Sequence, residues 1–123
     1  MTPEQKIKYL ILVKVAEWEG KAPPEFIADH IERAYDDLDD CYDAMSELRE
    51  GEVETHLSCQ SSRHYESKAV AAQLPDGSWV GWTFWFGGGK HGEPEAIDWM
   101  NTAYDLICTE KEKMVIVRTF SVA

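Results

Sequence analysis

The chain is poor in basic residues and in cysteine, and it has no long apolar run. It contains 12 Lys and Arg against 23 Asp and Glu, a net charge of −11 at pH 7. Its surface should therefore repel nucleic acid and membranes and attract basic surfaces of other proteins. Three cysteines without a secretory signal indicate reduced thiols in a cytoplasm. The best apolar run, residues 9–16, is too short to cross a membrane and contains Lys14.

The 123 residues suffice for one domain, and 44% of them are apolar. The composition changes near Gly51: helix formers and acids precede it, and β-branched and aromatic residues that alternate with polar ones follow it. The sequence predicts a single α+β domain. Residues 1–51 would form a helical hairpin, packed on an antiparallel sheet of about five strands with one short inserted helix in residues 52–123.

The N-terminal half contains two predicted helices. The first begins after Thr2, which has capping-box spacing to Gln5, and runs to about Glu19 with Trp18 on its apolar face. The second is predicted as one helix over residues 24–50, because apolar residues recur about every three or four positions. This seam comprises Ile27, Ile31, Ala34, Leu38, Cys41, Met45 and Leu48. It fits either packing against the first helix or a homodimer.

The C-terminal half has strand-like alternation. Strands are predicted over residues 53–60, 64–74 and 79–86. The third is aromatic on both faces, which indicates either a central strand covered on both sides or a strand with an exposed aromatic patch. A short helix at about 94–101 and strands at about 103–109 and 114–122 would follow. One longer helix over residues 94–109 is the alternative.

Acidic residues concentrate on the second predicted helix. Residues 25–50 contain ten acids and two bases, and like charges three or four positions apart on a helix repel one another. The region is interpreted either as a solvated helix face or as a surface that docks on a basic groove of another protein. The candidate binding residues are Asp36, Asp37, Asp39, Asp40 and Asp43. The run lacks the glycine and the final glutamate of an EF-hand loop, so it does not predict a calcium site.

The glycine-rich segment 87–93 follows a predicted strand and precedes a predicted helix. Its glycines serve either backbone conformation or a recognition loop. In the recognition interpretation the binding residues are Trp82, Trp85, Lys90, His91 and Glu93. Alternatively, the loop binds phosphate or another small ligand, and the protein is a small-ligand-binding protein or an enzyme. It does not match the phosphate-loop pattern, since His91 rather than Ser or Thr follows Lys90.

The histidines and cysteines form no clear metal or catalytic motif. His56, Cys59 and His64 lack the paired spacing of zinc ligands, and the first two would face opposite sides of a strand. No nucleophile with an adjacent base is recognisable. We therefore predict no catalytic residue, no metal and no cofactor.

The stretch GWTFWFGGGKHGEPE at residues 81–95, followed by Ile97-Asp98-Trp99-Met100, resembles small uncharacterised proteins encoded by bacteriophages and prophages. The resemblance covers roughly residues 65–120 and does not include the acidic helices. It implies a bacterial cytoplasm during phage infection or lysogeny and carries no activity. By analogy with small acidic phage proteins, we expect a non-enzymatic accessory protein that binds a host or phage protein by mimicking the charge of nucleic acid.

Overall fold

The computed structural model describes residues 1–110 and 117–122. Within these residues, three α-helices precede a four-stranded antiparallel sheet, which confirms the α+β class. The helices are α1 (Pro3–Glu19), α2 (Ala28–Asp36) and α3 (Tyr42–Arg49). The strands are β1 (Val53–Glu54), β2 (Glu66–Gln73), β3 (Trp79–Phe86) and β4 (Tyr104–Leu106), and their order in the sheet is their order in the chain.

Helix α1 has the ends that the sequence predicts. The Thr2 hydroxyl accepts a hydrogen bond from the Gln5 backbone N–H at 3.2 Å, and Gln5 Oε1 accepts one from the Thr2 backbone N–H at 2.9 Å. These two bonds satisfy amide groups that the first turn leaves without helical partners. At the other end, Gly20 adopts φ +67° and donates its N–H to carbonyls of the last turn.

We expect Thr2→Ala to lower the free energy of unfolding by about 1 kcal/mol, because it removes the side-chain half of this cap. Thr2→Ser keeps an acceptor oxygen and should cost much less. Urea denaturation followed by circular dichroism measures both variants. Equal stability of Thr2→Ala and the wild type would show that the capping box adds nothing to this fold.

The prediction of one long second helix is wrong, because the helix is interrupted over residues 37–41. Residues 36–40 contain four aspartates, whose charges would repel one another across a continuous helical turn. The Asp40 carboxylate also accepts a hydrogen bond from the Tyr42 backbone N–H at 3.0 Å. Such a local side-chain bond replaces the backbone hydrogen bond that the Tyr42 N–H would make in a continuous helix. Tyr42 is instead the first residue of α3.

Seam residues on both sides of the break pack against the core of the same chain. Ile31 and Leu48 are buried, whereas Ile27 is 46% exposed. The remaining seam residues, which are half-buried against the core, are Ala34, Leu38, Cys41 and Met45. Both α2 and α3 contact α1, so the N-terminal helices associate as expected.

Strand β3 is the centre of the core. It pairs with β2 over its whole length and with β4 over residues 79–81. Val80, Trp82 and Phe84 are buried together with Ile7 and Ile11 of α1 in one apolar cluster. The burial of both faces of β3 favours the covered central strand over an exposed aromatic patch.

Two of the predicted strands are shorter in the structure. The strand predicted over residues 53–60 is limited to β1, because His56 has φ +62° and turns the backbone out of the extended conformation. Likewise, only residues 104–106 of the segment 103–109 form a strand.

The segment between β3 and β4 and the C-terminal segment also differ from expectation. Two 3₁₀ turns, Pro94–Ala96 and Met100–Thr102, replace the short helix predicted at 94–101. Residues 117–122 are not in a strand, and residues 111–116 of the predicted last hairpin lie outside the described residues. The described sheet therefore has four strands rather than about five.

None of the described helices combines the length and the apolar character that a membrane crossing requires.

Candidate acidic docking surface

Five aspartates lie close together in the chain where α2 ends, in the 37–41 connection and where α3 begins. We call Asp36, Asp37, Asp39, Asp40 and Asp43 the acidic surface. All five are exposed. They occupy five of the eight positions from 36 to 43, and none of the other three is Lys or Arg. The helix break thus places a dense negative charge on a connection between two helices.

Neither of the two bases within residues 25–50 forms a salt bridge with the acidic surface among the described residues. Arg49 turns towards the sheet, where its Nη1 donates to the Trp85 carbonyl at 2.6 Å. Its guanidinium also lies 4.8 Å from the centre of the Phe84 ring. Arg49 is therefore part of the packing between α3 and β3, which leaves exposed Arg33 as the other base of this segment.

Lysines of α1 pair with glutamates that flank the acidic surface. Lys8 Nζ lies 2.9 Å from Glu32, and Lys14 Nζ lies 3.8 Å from Glu47. The hydrogen bond from Lys8 lowers the pKa of Glu32. The Lys8–Glu32 pair therefore stabilises the fold when the pH is above the ordinary pKa of glutamate. This stabilisation is lost as the pH falls through the lowered pKa of Glu32 in the folded protein. Among the described residues, no Lys or Arg forms a salt bridge with an aspartate of the acidic surface.

A small pocket adjoins the acidic surface at the C-terminal end of α1. We call it the Trp18 pocket. Its volume is about 150 Å³, and it is lined by Val15, Trp18, Glu19, Asp40, Cys41, Asp43 and Ala44. It therefore joins an aromatic side chain of α1 to two members of the acidic surface.

Helical spacing predicts Trp18 on the apolar face of α1, but in the structure its side chain is 54% exposed. The buried residues of α1 end at Ala16, so the last turn extends past the core. Glu17 and Glu19 flank Trp18, and the last turn has no basic residue. That local charge was the available signal that this turn lies in water.

The glycine-rich loop is shaped by backbone conformation. Gly87, Gly88 and Gly89 have φ values of +79°, +86° and +72°, a region that other residues rarely adopt. A Cβ on Gly88 would lie within 2.4 Å of the Tyr65 ring, and the Tyr65 hydroxyl accepts a hydrogen bond from the Glu93 backbone N–H at 3.2 Å. These contacts account for the glycines without a ligand.

The structure separates the residues predicted for loop recognition into two groups. Lys90, His91 and Glu93 are exposed on the loop. Trp82 is fully buried and donates its indole N–H to the Arg49 carbonyl at 2.9 Å, and Trp85 is only 7% exposed. Both tryptophans are core residues with almost no surface for a partner, and the sequence could not distinguish them from exposed aromatics.

The histidine and cysteine side chains of the described residues do not come together in a metal site. Within residues 1–110 and 117–122, no three His, Cys, Asp or Glu side chains are grouped so that they could hold a metal ion. Cys59 lies near Ser67, with 3.6 Å between its Sγ and the serine Oγ. Cys41, Cys59 and Cys108 are free thiols.

Comparisons of the chain with protein-family models, with curated proteins and with solved structures found no match.

Proposed function

We propose that this protein is a non-enzymatic binding module whose acidic surface docks on a basic surface of another protein. The observation that carries the proposal is the exposure of all five aspartates between positions 36 and 43, without a described salt-bridge partner. Concentrated like charge disfavours helix continuity here. An opposite charge on a partner would relieve this repulsion and accelerate association.

The resemblance of residues 65–120 to phage-encoded proteins supplies the biological context of the proposal. The partner would be a host or phage protein with a basic surface, and the acidic surface would occupy it in place of nucleic acid. Duplex DNA should then compete with this protein for a partner captured from bacterial lysate. A partner that binds DNA and this protein simultaneously, without loss of affinity for either, would contradict the mimicry.

Small-ligand binding by the Gly87–Glu93 loop receives less support. The glycines are explained by positive φ angles and by close packing against Tyr65. The helical turn that follows, Pro94–Ala96, has only three residues, so it supplies no aligned helix dipole for an anion. Lys90 and His91 are exposed side chains in a protein of net charge −11, whose field opposes anion binding.

The docking proposal is tested by changing Asp36, Asp37, Asp39 and Asp40 together to asparagine. At low salt, we expect association with a fluorescent oligo-arginine peptide to slow by about tenfold or more, because electrostatic steering is lost. The salt dependence of the rate should also flatten, since exposed charges are screened beyond about 8 Å at physiological ionic strength. Stopped-flow mixing measures both quantities.

A matched control changes four exposed acids outside the acidic surface, namely Glu54, Glu95, Asp98 and Glu110, to their amides. This variant alters the net charge by the same amount. It should retain most of the association rate if the local concentration of charge matters. If both variants lost the same fraction of the association rate, net charge alone would explain binding. That result would contradict a specific docking surface.

A further inference from the structure

We propose that the Trp18 pocket binds an arginine side chain of the partner protein. The guanidinium would lie on the indole ring of Trp18 and would donate hydrogen bonds to the carboxylates of Asp40 and Asp43. This inference rests on the proposed docking function, and it adds the residue type that the partner must present. It also assigns a binding role to Trp18, which lies on α1 outside the acidic surface.

The aromatic wall of the pocket is available to a ligand. Trp18 is 54% exposed, whereas Trp82, Trp85 and Trp99 are 0%, 7% and 3% exposed. Among aromatic side chains, tryptophan attracts a cation to its ring face most strongly. Val15 and Ala44 add apolar surface around the ring, against which the methylene groups of a long basic side chain can pack.

The charge around the ring favours a cation. Asp40 and Asp43 line the pocket together with Glu19, whose own partner is Lys21 at 3.4 Å. The C-terminal end of α1 contributes partial negative charge, and its last turn contains no basic residue. The hydrogen bond from the Tyr42 backbone N–H holds one oxygen of Asp40 in place.

The shape and donor set of the pocket favour arginine over other cations. A planar guanidinium can stack on an indole ring and direct N–H groups to two carboxylates, whereas an ammonium group cannot stack. The pocket volume of about 150 Å³ is about five times the volume of a water molecule in the liquid. It admits a side-chain head group but not a length of folded chain.

Site-specific detection of binding uses the indole N–H signals of the protein in a two-dimensional NMR spectrum. We expect titration with a short oligo-arginine peptide to shift the Trp18 signal, assigned from its loss in Trp18→Phe, and to leave the Trp82 signal unchanged. Oligo-lysine of the same length should shift the Trp18 signal less and bind more weakly.

Substitutions then separate the contribution of the Trp18 ring to oligo-arginine binding from that of the carboxylates. Trp18→Leu should weaken oligo-arginine binding about two- to fivefold, because an exposed cation–π contact contributes about 0.5–1 kcal/mol. It should also reduce the preference for arginine over lysine, because stacking is lost while the two carboxylates remain. The matched control is Tyr42→Leu, which removes an aromatic side chain that is 61% exposed beside the same aspartates but does not line the pocket.

The outcomes distinguish this inference from the proposed function. If oligo-arginine binds through the acidic surface but the Trp18 signal stays in place and Trp18→Leu binds normally, the arginine pocket is wrong and the docking function stands. If neither peptide binds at low salt, the docking function is wrong and the pocket proposal fails with it. Equal losses in Trp18→Leu and Tyr42→Leu would also overturn the pocket.

Discussion

Trp82→Ala should lower the free energy of unfolding by about 3–5 kcal/mol, as is typical when a large aromatic side chain is removed from a core. The ring is fully buried on β3, and its centre lies 5.4 Å from that of Trp99. Its indole N–H also donates to the Arg49 carbonyl at 2.9 Å. Because total domain stability is about 5–15 kcal/mol, this one change should bring the chain close to unfolding. Urea denaturation followed by far-ultraviolet circular dichroism measures the loss.

Two further variants identify the source of the Trp82 effect. Trp82→Phe keeps an aromatic ring but leaves the Arg49 carbonyl without this donor, so its cost should lie between those of the wild type and Trp82→Ala. Trp18→Ala removes the same side chain from an exposed position, where its 54% exposure predicts a small change. Comparable losses for Trp18→Ala and Trp82→Ala would contradict the assignment of Trp82 to the core.

Gly51→Ala should destabilise the fold by about 2–5 kcal/mol, because backbone strain and overpacking act at the same residue. Gly51 ends α3 with φ +75°, and a left-handed conformation costs other residues roughly 1–2 kcal/mol. A Cβ at this position would lie 2.6 Å from Val70 Cβ on β2. Overpacking of a well-packed site adds about 1–3 kcal/mol. Thermal and urea unfolding of the variant measure the combined effect.

Gly20→Ala isolates the backbone contribution to this loss. Gly20 ends α1 with a similar φ of +67°, but a Cβ there would have no neighbour within 4 Å. We expect it to cost only about 1–2 kcal/mol, which is the strain of the left-handed conformation. If Gly51→Ala cost no more than Gly20→Ala, the close approach of Gly51 to Val70 would not constrain the packing of the chain after α3 against β2.

Local signals in the sequence correctly predicted α1 and β3. The capping box of Thr2 and Gln5 and the left-handed Gly20 define α1 within one turn at each end. The alternating aromatic run Trp79–Phe86 identified β3, and the Pro75-Asp76-Gly77 turn before it separated β3 from β2. In both cases the signal that predicts the element lies within a few residues along the chain.

The continuous helix predicted over residues 24–50 is wrong because two local preferences compete there. Apolar spacing favoured one helix over residues 24–50, whereas the aspartates at 36–40 favoured local hydrogen bonds and charge separation. Because α2 and α3 both pack on α1, most of the apolar seam stays in contact with the core although the helix is interrupted. The positive φ of His56, which ends β1, had no comparable signal in the sequence.

The sequence by itself determined the α+β class, the ends of α1, the position of β3 and the excess of negative charge. These properties depend on composition, on spacing and on contacts between near neighbours. Only the tertiary structure decided which aromatic side chains are buried, since burial depends on distant segments. Trp82 is covered in a core that includes α1, whereas Trp18 lies beyond the last buried residue of that helix and beside Asp40 and Asp43. The candidate site therefore combines a charge visible in the sequence with an aromatic side chain that only the packing of α1 leaves exposed.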